Sequence, residues 1–144
     1  MAARFNEPLF VISVAARLVE MHPQTLRKYE REGLIAPSRT QGNLRLYSDR
    51  DIEQLRQVKY LVEDLGLNLA GVQIVLDMTR RLRELRAFTT EKSSRLADDV
   101  AVDTFSDFTA ELDSLLAAIG FIDEDQVAEL RRREATSGGR ARGQ

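Results

Sequence analysis

The chain of 144 residues has no cysteine, no tryptophan, one histidine and three prolines. Without cysteine there is neither a disulfide framework nor a thiolate metal site. His22 stands alone, so no metal centre is expected around it and no cofactor is predicted. No uninterrupted apolar run approaches the ~20 residues of a membrane-spanning helix. The first residues also lack the basic-then-apolar pattern of a secretory signal. The expectation is a cytoplasmic chain with no membrane partner. A glycine-rich phosphate loop, a dinucleotide fingerprint, a metal-ligand cluster and a distinguishable Ser/His/Asp set are missing too. The acidic groups Asp98-Asp99 and Asp123-Glu124-Asp125 lie in acid-rich segments, where solvation or helix capping accounts for them. An enzyme is not expected.

What is present is a 43% hydrophobic and 31% charged composition, that of a globular chain and not of a disordered one. Its charge is divided. Residues 1–62 hold 10 Lys/Arg and 7 Asp/Glu, a balance of +3, whereas residues 63–144 hold 11 and 16, a balance of −5. A basic first part joined to an acidic second part points to a polyanion meeting only the first.

The pattern predicts a mainly α fold. A first helix starts near Ser13, which caps Val14-Ala15-Ala16-Arg17-Leu18-Val19. A second starts at Pro23, where the missing N–H costs nothing, runs to about Glu32 and stops at Gly33. Two short helices and a tight turn make a helix-turn-helix. On the second helix Leu26 and Tyr29 face inward, while Gln24, Lys28 and Arg31 share an outer face flanked by Thr25 and Arg27.

Gly42-Asn43 then turns a small hairpin with Arg39 on one arm and Arg45 on the other. Ser48 and Asp51 form a capping box for a helix whose buried stripe is Ile52, Leu55, Val58, Val62 and Leu65, ending at Gly66. Asn68 caps a further helix with Leu69, Val72, Val75 and Leu76 inward. Val75, Met78, Leu82 and Leu85 keep coiled-coil spacing for about two heptads. They are either intrachain core or a dimer seam, and the basic residues Arg80, Arg81, Arg83 and Arg86 beside them favour dimerisation. A later stripe at Phe105, Phe108, Leu112, Leu115 and Ile119 is expected to be core packing, and a last helix starts at Asp123.

Val11-Ile12-Ser13-Val14-Ala15-Ala16, His22-Pro23-Gln24-Thr25-Leu26-Arg27-Lys28-Tyr29-Glu30, Gly33-Leu34-Ile35-Ala36-Pro37 and Arg45-Leu46-Tyr47-Ser48 resemble the MerR family of transcription regulators. Leu55-Arg56-Gln57-Val58 and Leu67-Asn68-Leu69-Ala70-Gly71-Val72 are most similar to its branch of HspR-type heat-shock repressors. The resemblance covers roughly residues 9–78. It implies a winged helix-turn-helix at 8–73 and a dimerisation helix at 74–95, while the residues beyond predict by their own composition an acidic helical region at 96–135 and a Gly/Ser/Arg-rich loose tail at 136–144. It also implies a homodimer that binds inverted-repeat operators in double-stranded DNA and represses chaperone operons. In some members the chaperone DnaK acts as co-repressor. Metal-sensing relatives use cysteines, which this chain lacks.

The DNA-facing set expected on this basis is Arg17, His22, Gln24, Thr25, Arg27, Lys28, Arg31, Arg39, Arg45, Tyr47 and Lys59. Gln24 and Thr25 lie where base edges are read, since an amide pairs bidentately with adenine. Arg27, Lys28, Arg17 and Lys59 hold phosphates, as do Arg39 and Arg45 on the wing. His22 is a cap or a phosphate contact, and Tyr47 either supports Arg45 or donates to a phosphate. The competing reading pairs Arg27 and Arg31 with Glu20, Glu30 or Glu32 on a solvated surface. Two other functions remain open: a chaperone modulator binding a J-domain co-chaperone, and a regulator whose C-terminal helices hold a small effector.

Overall fold

The computed structural model describes residues 2–138. A short helix α1 (Ala2–Phe5) leads into strand β1 (Pro8–Val11), which runs directly into α2 (Ile12–Leu18). Helix α2 begins one residue before Ser13, and no side chain caps it. Glu20 turns the chain with a φ of 55°. Then α3 (Pro23–Arg31) starts behind His22, whose Nδ1 accepts the Gln24 N–H at 3.1 Å. Gly33, at φ 75°, provides the stop expected of it.

The wing consists of β2 (Ser38–Arg39) and β3 (Arg45–Ser48), antiparallel, with Arg39 opposite Arg45. The expected hairpin is part of a three-stranded sheet of order β1-β3-β2, in which β1 pairs antiparallel with β3 and sets Phe10 opposite Tyr47. The wing is thereby tied to the segment that launches α2.

Ser48 and Asp51 cap α4 (Asp49–Lys59) reciprocally: Asp51 N–H donates to Ser48 Oγ at 3.1 Å, and Ser48 N–H to Asp51 Oδ2 at 2.9 Å. Ile52, Leu55 and Val58 are buried as the periodicity predicts. Beyond them the backbone widens into a π-helical turn (Tyr60–Asp64), with Leu65 N–H reaching Tyr60 O at 3.1 Å. A π turn adds a residue to the cycle and so rotates the side chains beyond it about the helix axis. Leu61, three residues past Val58, fills the core with Val62 half-buried beside it, while Leu65, just beyond the π turn, is exposed, a correction to the expected stripe. The core gathers Ala15, Ala16, Val19, Leu26, Tyr29, Leu34, Ile35 and Tyr47 around α4, with Val72 of the next helix.

Asn68 Oδ1 accepts the Gly71 N–H at 2.8 Å and starts α5 (Leu69–Ser93), an unbroken helix of 25 residues. Helix α6 (Asp99–Ala118) returns along it, so that Arg86 meets Asp113 and Gln57, bonded to Thr79, also reaches Ile119. Its buried residues are Leu112 and Leu116, whereas Phe108 and Leu115 are 48% and 49% exposed. The expected stripe is thus half core and half open surface, because the inward face follows the neighbouring row through Thr109 and Leu116.

Asp123 and Gln126 cap α7 (Glu124–Gly138) with reciprocal bonds of 3.0 and 2.9 Å. Arg131 then fastens α7 to the first turn of α4, its Nη2 lying 2.6 Å from Asp49 Oδ1. The loose tail expected from 136 does not start there, since Thr136–Gly138 complete α7; residues 139–144 lie outside the described residues.

Candidate nucleic-acid interface

Helix α3 has the amphipathic division its sequence predicts. Leu26 and Tyr29 are buried, and Gln24, Lys28 and Arg31 are exposed in one row with Thr25 and Arg27 half-buried at its edge. Burial raises the Tyr29 hydroxyl above its ordinary pKa, with a smaller push from Glu63, as befits a core tyrosine. Among the described residues no side-chain hydrogen bond or ion pair engages Arg17, Gln24, Arg27, Lys28 or Arg31. The competing reading, in which Arg27 and Arg31 pair with nearby glutamates, is therefore not what the chain adopts.

Glu30 is occupied instead by the wing. Its Oε1 lies 2.7 Å from Arg39 Nη2 and its Oε2 lies 2.5 Å from Arg45 Nε. Arg39 also donates through Nη1 to Asn43 O at 3.0 Å, which braces the hairpin tip. Burial opposes ionisation of Glu30, but hydrogen bonds and charge from Arg45 and Arg39 outweigh it and hold the carboxyl below its ordinary value. One α3 carboxylate thus fixes the angle between helix and wing. The sequence pattern offers Glu30 only as a surface partner of Arg27 or Arg31, because its actual partners, Arg39 and Arg45, lie beyond a turn.

Three of the expected DNA contacts have other work. Tyr47 is 0% exposed and belongs to the core, so it cannot reach a phosphate. Its hydroxyl is buried without a hydrogen-bond partner, and burial, then Glu30, pushes its pKa up. Lys59 Nζ donates to Val19 O at 3.2 Å and Glu20 O at 3.4 Å, closing the C-terminal end of α2. His22 is the α3 cap; its ring and its carbonyl take the N–H groups of Gln24, Thr25 and Leu26, so the helix start has few donors left for a phosphate. Arg45 is half-buried against Glu30, whereas Arg39 stands further out.

The expected seam on α5 is divided. Val75 packs on the core and Leu82 is half-buried, but Met78 and Leu85 are open at 53% and 41% exposure. Ile74 and Phe88, which the heptad spacing does not single out, continue that open row. Nor do Arg83 and Arg86 form an outer basic face: both guanidiniums sit over the Phe121 ring, at 4.9 and 5.8 Å. Among the described residues no cluster of groups suited to a metal ion occurs, and no helix is long and apolar enough to cross a membrane.

This geometry coincides with a known domain. Residues 10–79, from β1 into the first part of α5, match the model of the MerR HTH family regulatory proteins. That similarity to the MerR family spans 70 of the chain's 144 residues. The chain is 51% identical over 91 residues to a Streptomyces coelicolor protein named as heat shock protein HspR, covering 63% of this chain and 60% of that one. It is 40% identical over 81 residues to the HTH-type transcriptional regulator GlnR of Bacillus cereus, covering 56% and 62%. With the HTH-type transcriptional regulator MlrA of Escherichia coli it shares 36% over 69 residues, covering 47% and 28%. These relatives are named as regulators or as a heat shock protein, and none as an enzyme. The chain spans about three fifths of the length of the first curated relatives it matches.

Proposed function

We propose that this protein is a cytoplasmic, homodimeric, sequence-specific DNA-binding transcription regulator that represses heat-shock and chaperone genes from inverted-repeat operators. The observation that carries the reading is the α3 row of Gln24, Lys28 and Arg31, exposed and unengaged beside a wing that Glu30 holds in place. The match of residues 10–79 to the MerR HTH model and the similarity to HspR support the same conclusion.

In this account α3 enters the major groove, where the Gln24 amide, near the helix start, reads a base edge and Thr25 contacts its neighbour. Lys28, Arg31, Arg27 and Arg17 neutralise phosphates and set the register. Arg39 on the wing lies over the adjoining backbone, and Arg45 acts mainly by positioning the wing. Two copies join through the open α5 row of Ile74, Met78, Leu85 and Phe88, an apolar strip that invites a partner helix. DnaK, as co-repressor, contacts the exposed acidic surface of α6 around Asp103 and Asp107.

Selection from random duplexes tests the core of this proposal. Enriched sequences should be inverted repeats whose half-sites lie whole helical turns apart, roughly 34–36 Å each. Promoter occupancy before and after heat stress tests the target class: chaperone promoters should be occupied at rest and vacated on heating. Enrichment of no sequence over bulk DNA would overturn the reading.

A further inference from the structure

Between α4, α5 and the turn into α7 lies a cavity of about 560 Å³, also bordered by Phe5 of α1. That volume suits a small metabolite. None of the α3 side chains assigned to DNA lines it. Two of its cations lack a carboxylate partner among the described residues. Arg50 donates only a long hydrogen bond to Asn6 Oδ1, at 3.5 Å, and Arg83 rests on the Phe121 ring. Arg86, beside them, is already paired with Asp113 and Asp123, at 3.1 and 3.2 Å.

Arg83 lies near two further guanidiniums. Burial lowers its pKa, the like charges of Arg50 and Arg86 lower it further, and only Asp123 opposes them. An anion between Arg50 and Arg83 would relieve that repulsion, and guanidinium forks match phosphate oxygens bidentately. Phe121 and Leu76 offer apolar surface to an organic remainder. Glu53, Asp77, Glu124 and Asp125 also line the cavity and disfavour a second anionic group. We infer that this cavity binds a small phosphate monoester, its single headgroup held between Arg50 and Arg83.

The site joins α4, which carries the wing's last strand into the core, to α5 and α7. Occupancy would thus stiffen the connection between the DNA-facing domain and the C-terminal helices. The inference stands apart from the DNA reading, since ligand binding is measurable without DNA.

Thermal unfolding of the full chain, titrated with glycerol phosphate, inorganic phosphate, pyrophosphate and acetate, tests it. Glycerol phosphate should stabilise saturably and inorganic phosphate more weakly, with little response to the other two. Arg50→Gln and Arg83→Gln should each raise the half-saturating concentration about tenfold or more, the size expected for losing a charge-assisted pair. Arg50 is exposed, so its variant is informative even should Arg83→Gln fail to fold. The double variant Lys28→Ala, Arg31→Ala should respond like the parent. The inference is overturned by the absence of saturable stabilisation, by an equal response to acetate or pyrophosphate, by an undiminished response in Arg50→Gln, or by loss of the response in the α3 variant.

Discussion

Glu30 on α3 grips Arg45 on β3, oxygen to nitrogen, at 2.5 Å, and the same carboxylate holds Arg39 at 2.7 Å. Helix α3 and the wing are therefore tied into one unit, although fifteen residues separate Glu30 from Arg45. Rigidity matters here because a DNA reader gains from contacts only when both elements reach the duplex in register.

Replacing Glu30 by Gln should loosen that unit. The loss is about 1–2 kcal/mol, between the values for exposed and buried ion pairs. Because the folded-state pKa of Glu30 is depressed, its contribution is present above the unfolded carboxylate range and vanishes as pH falls through the folded value. Urea unfolding of parent and variant should therefore differ at neutral pH and converge at strongly acidic pH. A constant difference across the titration would deny Glu30 this role.

Glu53 predicts the opposite sign. Burial is the main influence on it and raises its pKa, despite the Arg56 guanidinium 2.7 Å away. A raised folded-state pKa means stability that is complete below the unfolded pKa and declines as pH rises through the folded one. Glu53→Gln should thus leave Tm unchanged or raise it by a few degrees at pH 7. At a pH low enough to protonate Glu53 in both states, any such gain should shrink. A marked fall in Tm at neutral pH would show that the Arg56 pair outweighs the burial.

Gly120 and Gly33 share a left-handed backbone, at φ 81° and 75°, but not the same surroundings. A Cβ on Gly120 would meet Tyr60 Cδ1 at 2.6 Å, whereas on Gly33 the nearest atom is Gln73 Oε1 at 4.0 Å. Gly33→Ala should cost about 1–2 kcal/mol from backbone strain alone. Gly120→Ala should cost about 2–4 kcal/mol, the strain plus overpacking against a ring in the π turn. Equal losses in chemical denaturation would mean that the Tyr60 contact yields freely.

Much of the DNA-facing domain is legible in the sequence because its signals are local. His22-Pro23 and Gly33 bound α3, Ser48 and Asp51 mark the start of α4, and Asn68 that of α5. The strand β1 is not legible: Pro8–Val11 is too short to show alternation and enters α2 without a turn. Leu65 is misplaced by the pattern because nothing in the helical period announces a π turn. On α6, the row through Phe108 and Leu115 and the row through Thr109 and Leu116 have equivalent spacing, so only the packing of α5 decides which is inside. Lys59, Tyr47 and Glu30 are a further kind of case. Each is defined by partners distant along the chain, and a basic or aromatic residue near a DNA-binding motif reads as a contact until those partners are seen.

The central claim, that the open row of α3 reads DNA, is tested most directly by binding of parent, Gln24→Ala and Lys28→Ala to a selected inverted repeat at two salt concentrations. Gln24→Ala should weaken the preferred site by about 1–3 kcal/mol and relax the preference at one base pair. Lys28→Ala should weaken every duplex alike and reduce the salt slope by about one. Full parental affinity and salt dependence in both variants would contradict the account.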